Sequence, residues 1–230
     1  MILLVVGDVS ADEVLKLVEK AYATWAKGPA RPPIPIEPAQ TREQRVTVPW
    51  KGASLPMLFM GYHAPGFSTK SIDGPALEVL AELLFAERSR LHKQLVLDEQ
   101  KVETLEGGGG RHVDPNLFLV LARVKRAKDM AYVESTIEKE IAQIAAQGVD
   151  GKTLGEVLSH ARYTFAAQLA TPDHVALVGA EFLALDGRLA AIDEYFARLA
   201  QVTSADVQRV ARTYFTPQNR TVVTLQPEAP

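Results

Sequence analysis

Zinc-dependent hydrolysis needs two histidines on one helical face and a glutamate placed to activate the metal-bound water. The chain has five histidines, His63, His92, His112, His160 and His174, and none has Glu as an immediate neighbour. Both H-E-x-x-H and H-x-x-E-H are therefore excluded. The closest pair, His160 and His174, is fourteen positions apart and is not a local ligand pair. Each histidine is read as a surface or interface residue. Serine chemistry has no better support: G-x-S-x-G does not occur, and Ser54, Ser68, Ser71 and Ser89 carry no motif context. With no cysteine in the chain, disulfides, thiolate zinc sites and thiol nucleophiles are removed together. No catalytic and no metal-ligating residue is assigned, and no cofactor is expected in this chain.

Two further clusters invite chemistry. Gly107 to Gly110 lack the Lys-Ser/Thr of a P-loop, and His112 occupies the third glycine position of a dinucleotide fingerprint. No regular element is expected to tolerate four consecutive glycines. They read as a flexible hinge between strands, or as a place where another backbone approaches because no Cβ blocks it. Asp98, Glu99, Glu103 and Glu106 precede them. An acid/base pair is conceivable there, but a solvated helix end followed by an alternating strand explains the carboxylates more simply.

The elements that must position these residues follow from periodicity. Ile2 to Val6 is apolar on both faces and reads as a buried strand, stopped at Gly7-Asp8. Ser10 and Glu13 are spaced as a capping box for a helix bearing Val14, Leu17, Val18, Ala21 and Trp25, ending near Gly28. Residues 29–40 carry five prolines and read as a stiff, extended connector. Beyond it, strands are expected at 45–50, 55–62, 102–105, 117–124 and 221–225. Helices are expected at 74–85, 88–97, 127–147, 151–169, 173–185, 188–200 and 204–215. The apolar stripes of helices 76–85 and 131–145 are read as core. Ser204-Ala205-Asp206, leading to Tyr214, echoes Ser10-Ala11-Asp12, leading to Tyr22.

Composition narrows the class. At 230 residues, 47% hydrophobic and 23% charged, the chain can bury a full core, and its formal charge of −3 offers no electrostatic footprint for nucleic acid. The Ile2 to Val6 run is too short for a signal-peptide core or a membrane span. No membrane partner is expected, any export signal lies outside the chain, and periplasm and cytoplasm both stay open as locations.

Several segments together resemble the insulinase/pitrilysin family of zinc metallopeptidases, which includes the mitochondrial processing peptidases. They are Val5-Val6-Gly7-Asp8-Val9-Ser10, the proline-rich connector, Gly61-Tyr62-His63-Ala64-Pro65, Ala76 to Phe85, Ser89-Arg90-Leu91-His92-Lys93-Gln94-Leu95-Val96, and Val202 to Pro217. The resemblance implies an α/β (α+β) fold with a mixed, largely antiparallel sheet and helices on one face. It implies that 1–28 is the terminal strand and helix of a preceding, catalytic-type domain, that 29–40 is the connector, and that 41–230 is a second, metal-free domain. Zinc is then expected in a missing half or a partner chain.

In many members of that family the second domain contributes an Arg and a Tyr seven residues apart. Alignment through Ser89-Arg90-Leu91 and Leu95 places Val96 and Glu103 there, so neither matches and the family's catalytic residues are not carried over. What the resemblance leaves is a chamber wall, with Glu103, Gly108, Gly109 and Arg111 as the expected substrate-contacting residues.

Two functions are expected on this basis. The first is the non-catalytic half of a zinc peptidase, enclosing an unfolded peptide for hydrolysis at zinc elsewhere, with peptide adding to an exposed sheet edge. The second is a catalytically dead scaffold that binds peptide or protein without a zinc-bearing mate. An unrelated serine or carboxylate hydrolase is a remoter third. Self-association of the isolated chain is also expected, because a strand severed from its sheet leaves unpaired backbone groups and an uncovered apolar face.

Overall fold

The computed structural model describes residues 2–29, 32, 35 and 37–228. Positions 30, 31, 33, 34 and 36 of the proline-rich connector lie outside them. The element order is α1 (Ala11–Tyr22), β1 (Gln44–Trp50), β2 (Met57–Ala64), α2 (Asp73–Phe85), α3 (Arg90–His92), β3 (Val102–Gly108), β4 (Asn116–Val124), α4 (Met130–Gln147), α5 (Gly151–Gln168), α6 (Pro172–Leu185), α7 (Ala190–Leu199), α8 (Ser204–Tyr214) and β5 (Arg220–Pro227). The strands form one sheet in the order β1-β5-β2-β4-β3. Among the described residues only the β1–β5 pair is parallel, with Val46 opposite Val223; the other neighbours are antiparallel. The mixed, largely antiparallel α/β fold expected from the sequence is present.

Strand alternation divides the sheet into two faces. Leu58, Met60, Tyr62, Phe118, Val120, Ala122 and Val222 are buried with Leu77, Leu80 and Leu84 of α2, Ile137 and Ile141 of α4, and Val207 and Val210 of α8. That single core holds the helices on one face and confirms the apolar stripes of α2 and α4 as core. On the other face, Val46, Trp50, Leu117 and Leu119 remain exposed. Phe182, Ala191 and Tyr195 form a second, smaller cluster with Phe67 packed against it.

Four local expectations are corrected. Residues 2–6 form no strand, and Ile2, Leu3 and Val5 are exposed, because none of the five strands offers them a hydrogen-bonded neighbour. Ser10 precedes α1, yet its side chain makes no cap. The reciprocal box sits instead at α8, where Thr203 caps and Asp206 answers; Ser204 donates to the carbonyl of Val149. The helix expected over 88–97 begins as α3 but widens into a π-turn at Lys93–Asp98, closed by Gln100 at φ 51°. Finally, Gly107 and Gly108 do belong to a regular element, the end of β3.

Candidate functional site

At the end of β3 the sheet, the helical layer and the small aromatic cluster meet around a cavity of about 340 Å³. Its floor is the start of β4, with Asn116 and Phe118. One wall is α2, with Leu77, Glu78 and Ala81. The rim is made by the end of β2 and the segment after it, residues 64–68, and by Gly108 to His112. The two rim segments are tied by the Phe67 amide donating to the His112 carbonyl at 2.7 Å.

The glycines explain how the chain reaches this place. A Cβ on Gly107 would overlap the Phe85 ring, so only glycine lets β3 pass beneath α2. The β3–β4 ladder stops at Gly108, opposite Leu119. Gly109 and Gly110 take part in no backbone hydrogen bond among the described residues. Gly110 then turns the chain at φ +61°, a left-handed conformation that favours glycine, and delivers Arg111 to the cavity.

Arg111 is the centre of the polar structure here. Its guanidinium donates to both carboxylate oxygens of Glu78 at 3.1 Å each and to Glu181 of α6 at 3.1 Å. It lies over the Tyr195 ring, 4.8 Å from the centroid, and 5.6 Å from that of Phe182. The Tyr195 hydroxyl donates to Glu78 at 2.7 Å. Burial works against the charge on Arg111, but attraction to Glu78 and Glu181 outweighs it and holds the guanidinium protonated. Burial, reinforced by Glu78, raises the Tyr195 hydroxyl, so it stays a donor. Arg111 Nε is buried without an acceptor.

Of the four residues expected to contact substrate, Gly108, Gly109 and Arg111 line this cavity. Glu103 lies at the far end of β3, beside the register shift between Val102 and Thr104, and pairs with Arg123 at 3.6 Å. Val96 is half-buried just after the start of the π-turn. Sequence reasoning did not single out Glu78, Glu181 or Tyr195. The available signal was a lone carboxylate inside an apolar helical run, Leu77-Glu78-Val79 and Ala180-Glu181-Phe182, where a charge requires a partner.

Ser68 accepts from the amides of Lys70 and Ser71, Ser89 caps α3, and Ser54 donates to a neighbouring carbonyl. His63 contacts Gln40 at 3.3 Å, and His160 stands 3.9 Å from Glu82. Among the described residues no group of three His, Cys, Asp or Glu converges as a metal site. Zinc does not fit the cleft, whose two carboxylates are already bridged by a guanidinium. No helix of the described residues is long and apolar enough to cross a membrane.

Comparison with known proteins gives a consistent set. The family model described as peptidase M16 inactive domain matches residues 1–159. The chain is similar to the zinc protease PqqE of Helicobacter pylori, 24% identical over 98% of this chain and 51% of that protein. In fold it is similar to a protease from Helicobacter pylori, with TM-score 0.87 and 24% identity, covering 96% of this chain and 54% of the other. It is similar too to a peptidase M16 inactive domain from Pseudomonas fluorescens, with TM-score 0.78 and 15% identity, covering 97% and 52%. The chain thus spans about half the length of the relatives it matches.

Proposed function

This chain belongs to the family of peptidase M16 inactive domains, and from that premise we propose that it acts as the substrate-holding half of a zinc peptidase. The resemblance to the insulinase/pitrilysin peptidases read from the sequence is borne out by the family match. In this reading an unfolded peptide is held against the chain while hydrolysis takes place at zinc carried by another domain or subunit.

The observation that carries the reading is the backbone of Gly109 and Gly110 at the cleft, which takes part in no backbone hydrogen bond among the described residues. Backbone amides and carbonyls are obligatory hydrogen-bonding groups. Placed where β3 leaves its ladder, and with no side chain in the way, they suit a second extended backbone. The chain supplies confinement and orientation. A water-activating metal comes from the partner, which fits the absence of both zinc-helix motifs from this sequence.

The test mixes this chain with the zinc-bearing half encoded upstream of it or in an adjacent gene, and follows hydrolysis of an unfolded peptide together with bound zinc. Activity and zinc in the mixture, with neither in this chain alone, is the expected result. Hydrolysis by this chain alone overturns the reading. Peptide binding without hydrolysis in any mixture favours the second reading, a catalytically dead scaffold.

A further inference from the structure

We propose that the cleft beside Arg111 selects the peptide it holds, accepting one uncharged apolar side chain and rejecting acidic ones; this rests on the peptide-holding reading above. Three independent features of the cleft carry it.

The first is shape and lining. A volume of about 340 Å³ lies at the low end of the ~300–1,000 Å³ typical of small-ligand pockets. It has room for one side chain with its adjoining peptide unit. Phe67, Leu77, Ala81 and Phe118 give that side chain an apolar surface, so its burial is favourable in proportion to the area removed from water.

The second is charge. Glu78 and Glu181 bring two negative charges and Arg111 brings one positive charge that both of them already engage. The cluster is therefore net negative, and among the described residues no Lys or Arg besides Arg111 lines the cleft, where His112 is the other basic side chain. An acidic side chain entering the cleft would be desolvated against two carboxylates, which is strongly unfavourable.

The third is the pattern of unused hydrogen-bonding groups. Among the described residues, Arg111 Nε is a buried donor without an acceptor, and the peptide groups of Gly109 and Gly110 have no backbone partner. A peptide backbone supplies neutral carbonyl and amide partners for the glycine peptide groups, while Arg111, its Nε buried, is oriented by its terminal nitrogens. Arg111 is thus a positioning residue, tying the β3–β4 connection across α2 and α6 so that the glycine backbone faces the cleft.

The experiment is fluorescence anisotropy with the full 230-residue chain and four labelled Gly/Ser decapeptides that differ only at one central residue: Leu, Phe, Ala or Glu. The Leu and Phe peptides are expected to bind about tenfold more tightly than the Ala peptide, or ~1.4 kcal/mol, and the Glu peptide more weakly than Ala. Ala81→Phe, which fills the cleft, should abolish the Leu and Phe advantage. Because that change at a partly buried position can disturb packing, the second variant is Glu181→Gln at a half-exposed carboxylate, which should bring the Glu peptide close to the Ala peptide. Equal binding of all four peptides, or a Glu peptide indifferent to Glu181→Gln, overturns the selectivity while leaving peptide holding intact. Failure of every peptide to bind overturns the holding reading and the selectivity with it.

Discussion

Arg111 grips both carboxylate oxygens of Glu78 at 3.1 Å, joining the loop after β3 to the middle of α2. Glu78 sits in the helix of the main core, whereas the Tyr195 and Phe182 rings beneath the guanidinium belong to the smaller cluster. One guanidinium therefore fastens three parts of the fold at the place where the cleft opens. Removing it by Arg111→Ala should cost about 1–3 kcal/mol, the usual penalty for stripping a partly buried charged hydrogen-bonding partner. Arg111→Lys should recover only part, since an ammonium cannot reproduce the planar fork or the stacking. Urea unfolding measures the stability, and hydrogen exchange over 107–112 should accelerate in both variants.

Gly107 and Gly108 are adjacent but not equivalent. A Cβ on Gly107 runs into Phe85, while one on Gly108 meets nothing within 4 Å. Gly107→Ala should therefore destabilise by about 1–3 kcal/mol through overpacking, and Gly108→Ala by less than ~0.5 kcal/mol. Thermal denaturation of the two variants side by side checks this. Equal effects would show that the approach of α2 to β3 is not what requires glycine.

Asp73 joins the start of α2 to α8, accepting from Arg209 at 2.7 Å and from the Tyr214 hydroxyl at 2.6 Å. Burial alone would raise its carboxyl, but these two donors overcome that and hold it below the usual carboxylate range. A carboxyl depressed in the folded state stabilises fully above its unfolded value, near pH ~4, and that contribution fades as the pH falls through the folded value. Asp73→Asn should therefore lower stability at neutral pH and flatten its loss as the pH falls below about 4. Urea midpoints across that range give the comparison.

The two helix starts that look alike in sequence should respond differently. Thr203 and Asp206 form a reciprocal box at α8, so Thr203→Ala should cost about 1 kcal/mol. Ser10 makes no side-chain cap at α1, so Ser10→Ala should lie within ~0.3 kcal/mol of the parent. The unfolding free energies of the two variants test the distinction.

Much of this was readable from local pattern. Strand-forming residue runs placed β1, β2, β4 and β5 within a few residues, and in β4 the buried positions repeat every second residue. The stripes of α2 and α4 were legible at the helical period. Local reasoning failed where the outcome depended on a partner distant in sequence. Ile2 to Val6 has strand-like residues but no strand to pair with. Gly107 looks like a breaker, yet continues β3 because Phe85 occupies the space a side chain would need.

The residues of the chain alone therefore determined that there is no zinc-helix motif and that the fold is α/β, whereas the grouping of Glu103, Gly108, Gly109 and Arg111 came from the family resemblance. The first two conclusions depend on residue types and short spacings. Only the tertiary structure decided that Arg111 engages Glu78, Glu181 and Tyr195, and that Glu103 stands apart from them. Ion pairing acts over a few ångströms, and closures across 33 and 70 residues are set by how α2, α6 and α7 fold against the end of the sheet, which no local spacing records.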